Sequence, residues 1–296
     1  MSNFLMKTAI VFPALLWLFL LVPHQALAES KPEKKDWKVS VQGHGAARAG
    51  FENDKGEVSV VGAESSASYK YFTLKYALQS FSWGDKDHLP FGNGRDDPWD
   101  ELHAVGLDAN YLGTVNKNWG YLVGAGIASM FEEETDGSMG GNVRGGLRYT
   151  FSKNWRVSLG AVLSHHKIKT QVRPLAGMDW NRGAETGLSV SIGVPRTEVR
   201  YRHSARLAVR TALSMDSGMY RLANDSMVQE KGYVETNGFV AGLYLDAEPF
   251  ENFTLTLGPQ YLFGRGFTIY DKHGDKKNAY DVDGALGGVL RLEYKF

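Results

Sequence analysis

Arg144, Arg148, Arg156, Arg200 and Arg210 stand at even positions, while Val143, Leu147, Val157, Leu159, Val199 and Val209 take odd ones. In extended chain successive side chains point to opposite faces, so the guanidinium groups share one face and the apolar groups the other. Arginines gathered on an inner surface lower the barrier for anions and raise it for cations. A second chemistry is nucleophilic. Ser129, His103 and His165 fall near the ends of alternating segments, and a serine beside a histidine at a membrane surface is the pair a lipid hydrolase needs. No nucleophile motif surrounds Ser129, so no catalytic residue is assigned. The cysteine-free chain has no thiol nucleophile, disulfide scaffold or lipidated cysteine. Acidic runs at Asp85, Asp87, Asp96, Asp97, Asp100 and Glu101 and at Glu132, Glu133, Glu134 and Asp136 match no EF-hand spacing. They read as solvated loops, or loops bridged by divalent ions to lipopolysaccharide. No metal site and no cofactor is assigned.

Strands must position these groups. Alternation predicts about twelve, over 37–51, 57–69, 71–83, 100–111, 119–131, 138–151, 155–168, 186–202, 206–221, 232–247, 253–270 and 282–296; ten is the alternative if the second and third segments merge. The last segment ends Leu290-Arg291-Leu292-Glu293-Tyr294-Lys295-Phe296, apolar on one face to its final residue. A terminal apolar strand suits an all-β, transmembrane antiparallel barrel, whose last strand closes against its first. Short turns at one end and longer loops, including 84–99 and 169–185, at the other agree with an even count. Trp37, Tyr111, Trp119, Tyr149, Trp155, Tyr201, Phe253 and Phe296 gather at the end of the termini; Phe51, Phe81, Trp83, Phe131 and Tyr233 lie nearer the other. Two aromatic girdles are expected of a barrel.

Turning the apolar faces to lipid places Arg291 inside with the five arginines, and Glu198, Glu293 and Asp108 as their salt-bridge partners. One segment resists. Val190, Ile192 and Val194 face lipid, and an unbroken register would carry Arg196, Glu198 and Arg200 there too, at ~2–4 kcal/mol per mid-membrane arginine. A bulge at Pro195 is predicted, turning the charges inward.

Residues 1–28 read as a cleavable signal peptide: Lys7, an apolar stretch from Ala9 to Val22, then the small-residue pattern Ala26-x-Ala28, with too few apolar residues for the ~20 of a spanning helix. Residues 29–36 form a short lead-in, and 37–296 the barrel. Of 33 basic and 33 acidic residues cleavage removes only Lys7, leaving a net charge of −1. That balance argues against a nucleic-acid partner.

The alternation, girdles and terminal Phe296 resemble Gram-negative outer-membrane β-barrels. Gly193-Val194-Pro195-Arg196-Thr197-Glu198-Val199-Arg200-Tyr201-Arg202, with Ser217-Gly218-Met219-Tyr220-Arg221-Leu222 beyond it, resembles an uncharacterised outer-membrane β-barrel domain family that carries no known activity. The class resemblance implies export through the inner membrane and insertion by the barrel assembly machinery, which would read Tyr294 and Phe296 as its signal. Narrow twelve-strand channels for acidic sugars are similar in architecture, without a shared motif. The resulting expectation is a passive, porin-like channel in the bacterial outer membrane, among lipid and lipopolysaccharide, whose basic lumen favours small anionic solutes. The alternatives are a non-conducting barrel, with Glu198 and Glu293 locked on the arginines and loops folded into the mouth, and a rim lipid hydrolase.

Overall fold

The computed structural model describes residues 36–52 and 55–296; the expected signal peptide and nearly all of the lead-in lie outside them. The strands in chain order are β1 (Trp37–Gly50), β2 (Glu57–Tyr69), β3 (Phe72–Gly84), β4 (Glu101–Thr114), β5 (Trp119–Phe131), β6 (Met139–Thr150), β7 (Trp155–His166), β8 (Thr170–Trp180), β9 (Gly187–Val194), β10 (Arg196–Ser204), β11 (Leu207–Arg221), β12 (Tyr233–Phe250), β13 (Phe253–Tyr270), β14 (Lys276–Val282) and β15 (Ala285–Lys295). Fourteen of them form a closed antiparallel barrel, each paired with its neighbours, and β14 adds beside upper β13. β15 pairs with both β13 and β1, and the Phe296 N–H donates to the Trp37 carbonyl at 3.0 Å. The end bearing Trp37 and Phe296 is termed lower.

The barrel's count exceeds the expected twelve at two places, and β14 is a third addition, in 271–281, expected as a loop. The stretch 169–185, expected as a loop, contains β8. Its Val172, Pro174, Ala176, Met178 and Trp180 do alternate with Gln171, Arg173, Leu175, Gly177 and Asp179, but a proline normally argues against an interior strand. The segment 186–202 is two strands, reversed at Pro195: Glu198 pairs with Ser191 and Arg202 with Gly187. The expected bulge is therefore a hairpin. The charges still turn inward, because the reversal places Arg196, Glu198, Arg200 and Arg202 on the lumen face and Thr197, Val199 and Tyr201 outside.

The exterior is an apolar band. Leu159, Val172 and Leu286 are 67%, 70% and 69% exposed, a stable state only against lipid. Below it aromatic rings meet in pairs: Trp37–Tyr69 at 4.7 Å, Trp119–Tyr149 at 4.8 Å, Phe250–Phe253 at 5.1 Å and Tyr294–Phe296 at 4.7 Å. This is the lower girdle. The upper girdle is not where Phe51, Phe81, Trp83 and Tyr233 were expected to form it, since all four are buried. Phe81 and Trp83 share the parity of Lys75 and point into the barrel, where they belong to a single apolar core.

Candidate functional site: a basic vestibule beneath an aromatic plug

The upper lumen is filled. Trp99 (1% exposed) and Phe91, both from the 85–100 connection, pack onto Trp83, Phe51, Phe81 and Phe267. Trp83 and Trp99 meet edge to face at 5.0 Å, and Phe91 stacks on Trp99 at 5.5 Å; both geometries suit the aromatic quadrupole. The Trp83 indole N–H donates to the Trp99 carbonyl at 2.8 Å. Tyr220, Leu222 and Val234, on the inner faces of upper β11 and β12 and just beyond, complete the plug. A well-packed core of this kind excludes water along the barrel axis.

Above the plug, acidic loop residues cap backbone groups. Glu132 accepts from the Ala223 N–H at 2.7 Å, and Glu134 from the Asn224 N–H at 3.1 Å. Burial, with Glu133, Asp100 and Asp225 nearby, pushes the Glu132 carboxyl up to about 7, against the Ala223 N–H, which pulls it down.

Beneath the plug lies a vestibule of about 790 Å³, open toward the lower end. Nine basic side chains line it (Lys38, Arg182, Arg196, Arg200, Arg202, Arg206, Arg210, Arg291 and Lys295) against four acidic ones (Glu198, Asp246, Glu248 and Glu293), an excess of five positive charges. Arg200 and Arg210 sit directly opposite each other on β10 and β11, where like charges repel. Two carboxylates hold them: Glu198 lies 3.1 Å from Arg200 and 3.6 Å from Arg210, and Asp246 lies 3.2 Å and 2.8 Å from the same two. Asp246 also accepts from Thr256 at 2.7 Å, and the Arg210 guanidinium lies 4.2 Å over the Tyr244 ring. Glu293 takes Arg291 at 2.9 Å, Lys38 at 3.7 Å and Lys295 at 3.8 Å. Arg202 donates to the Ala184 carbonyl at 3.0 Å. Among the described residues neither Arg202 nor Arg206 has an ion pair.

Of the arginines expected on the path, Arg200, Arg210 and Arg291 meet here. Arg144 is fixed elsewhere, 2.6 Å from Asp108, with further bonds to Asn110 and Asn142. Arg148 leans over Gly120 on the wall, and Arg156 is set across β7 and β8 from Asp179; neither lines the vestibule. Asp246 is the important residue the sequence reading omitted, although Tyr244 and Asp246 alternate with Leu243 and Leu245 and so reveal its inward parity. The rim groups have separate partners. His103 Nδ1 meets the Tyr76 hydroxyl at 3.0 Å, Ser129 Oγ meets Ser138 Oγ at 2.5 Å, and His165 Nδ1 meets Thr170 Oγ1 at 2.8 Å.

Residues 96–281 match the family described as a domain of unknown function (DUF6268), and the chain belongs to that family. No curated protein matches it in sequence. Among solved structures it is similar to a KdgM porin in complex with disordered oligogalacturonate (9% identity, 87% of this chain and 99% of that chain covered, TM-score 0.36). It is likewise similar to the NanC porin (13%, 86% and 100%, TM-score 0.37) and to the Pseudomonas putida toluene transporter TodX (10%, 89% and 90%, TM-score 0.36). Likenesses this remote say nothing of what this barrel carries.

Proposed function

We propose that this barrel is a bacterial outer-membrane channel for small anionic solutes, held shut on its axis by the aromatic plug. The excess of five positive charges around the vestibule carries the reading. A concave basic surface with low-dielectric walls concentrates anions. Arg202 and Arg206, without carboxylate partners there, are the groups best placed to hold one. In this reading the lower end faces the periplasm. The leader ending at Ala28 is cleaved, the barrel assembly machinery reads Tyr294 and Phe296, and the upper loops lie among lipopolysaccharide. Conduction requires the 85–100 segment to withdraw Phe91 and Trp99. A second reading, a permanently closed structural barrel, is favoured by the same plug and by the locking of Glu198 and Glu293 on arginines.

Single-channel recording in a planar bilayer under a salt gradient separates them. The first reading expects brief openings in the wild type, long ones in Phe91→Ala/Trp99→Ala, and a reversal potential on the anion side that Arg202→Gln/Arg206→Gln moves toward zero. A folded plug variant with no conductance would establish the closed barrel.

A further inference from the structure

The barrel wall is incomplete on one side. β9 has 8 residues and β10 has 9, below and at the lower limit of the ~9–11 of a tilted spanning strand. β8 pairs with β9 only from Ala176 to Trp180, so among the described residues Thr170–Leu175 have no partner on that side. β11 pairs with β10 only as far as Ser214, with one further bond from the Met215 N–H to the Pro195 carbonyl. The hairpin ends inside the apolar band, since Val194 at its tip and Val172 on β8 above it are both exposed apolar groups. Pro174 stands on the bare edge of β8, where an absent N–H leaves no donor unpaired in lipid.

Behind this notch is a groove. Upper β11 and β12 lean inward across the lumen: Arg221 bridges to Phe131 of β5, and the Glu132 N–H donates to the Arg221 carbonyl at 2.9 Å. Their outer face, with Ser217, Met219 and Glu235, thereby opposes the inner face of β5–β8 and encloses about 300 Å³, the lower end of the ~300–1,000 Å³ range of ligand sites. The contact with β5 shuts the back, which is lined by Ala128 and Met130. The mouth is polar. Arg173 spans it, donating to Ser217 Oγ at 3.2 Å and to Gln171 Oε1 at 2.7 Å. Lys169 is already taken by Glu235 at 2.5 Å, whereas Arg173 has only these neutral partners among the described residues.

We infer that the groove is a binding site for a single-chain anionic amphiphile, which enters sideways from the membrane between β8 and β11, tail toward Ala128 and Met130 and head on Arg173. The inference takes its membrane orientation from the proposed function but is independent of conduction. An apolar blind end, an unneutralised cation at the mouth and an opening within the apolar band together select this chemistry over a small water-soluble anion or a neutral lipid.

The cysteine-free chain makes Met219→Cys a sole thiol reporter within the groove. The full barrel in neutral detergent is treated with a maleimide in the presence of dodecanoate, dodecanol or acetate, after its fold is checked by heat-dependent gel mobility. Dodecanoate is expected to slow labelling strongly, dodecanol and acetate little. Adding Arg173→Gln raises the half-protecting dodecanoate concentration roughly tenfold, the worth of one charged hydrogen bond, and Ala128→Leu, which shortens the blind end, also raises it. Absence of protection by dodecanoate would overturn the inference. Equal protection by acetate would reduce the site to a simple anion contact, and equal protection by dodecanol with no effect of Arg173→Gln would reduce it to nonspecific partitioning; either result also overturns it.

Discussion

The two halves of this lumen solve opposite problems with the same strands. Above, the space is dry: Trp83, Trp99, Phe91 and Phe267 pack against one another and leave little room for water. Below, the space is wet: arginines crowd one wall and four carboxylates are spread among nine cations. β12 and β13 run through both, and on β12 the change from charged to apolar occurs within a single strand at constant parity, from Asp246 to Val234. Lys75, Gln79, Phe81 and Trp83 form such a series on β3. The contrast shows that a barrel strand need not have one interior chemistry. The dry half contributes packing, while the wet half retains charge for a solute to meet.

The comparison is tested most severely in the dry half. Trp99→Ala should lower stability by about 3–5 kcal/mol, as for other buried large aromatics, and this is read from the shift in urea midpoint on refolding into vesicles. A change under ~1 kcal/mol would mean that the plug is a loosely seated loop. The wet half should be more tolerant. Asp246→Asn leaves Arg200 facing Arg210 with Glu198 alone between them, and should cost about 1–3 kcal/mol, a loss that added salt partly restores by screening. A loss independent of salt would argue against like-charge repulsion.

The seam between the halves and the outside should respond to pH. Glu132 begins at the ordinary 4.5 when unfolded and rises to about 7 in place. Its contribution to holding the upper loops is therefore full below about 4.5 and is lost as pH climbs through about 7. Protease cleavage within 222–232 should quicken between pH 5 and 8, and Glu132→Gln should flatten that dependence; an unaltered slope in the variant would assign it to another group. The smallest effect is expected at the rim. Ser129→Ala removes one hydrogen bond to Ser138 and should cost ~1 kcal/mol or less, with no change in any lipid hydrolysis by the purified barrel. Loss of turnover would revive the hydrolase reading.

Much of this was legible in the sequence. The apolar face ending at Phe296, the lower aromatic ring and the inward turn of Arg196, Glu198 and Arg200 follow from period-two alternation, which burial on one side enforces. β8 was obscured by Pro174, which discounts a strand unless one edge is known to be bare, and that bareness depends on the length of β9 and β10 in space. A reversal and a bulge at Pro195 have the same signature in sequence, because both devices rotate the next side chains inward. Height along the strand suggests the girdle for Phe81 and Trp83, whereas their parity, shared with Lys75, points them inward. Which arginines converge was not legible either: Arg144 and Arg200 have the same signature in one dimension, and only the curvature of the wall separates the partner of Asp108 from the partner of Asp246.

The pairing of β1 with β15 has a consequence in time. Every other neighbour in the wall is reached within a short stretch of chain or one loop, but Lys38 must find Lys295, the most remote strand pairing among the described residues and the slowest kind to form. Until it does, β1 and β15 each present an unpaired edge, and the apolar band has no closed cylinder to wrap. A barrel built this way matures last at the seam of β1 and β15. Agents that delay this junction should leave an almost finished barrel open like a sleeve, with neither half of the lumen complete, since the plug takes Phe51 and Ala285, and the vestibule Lys38 and Arg291, from the two sides of the seam.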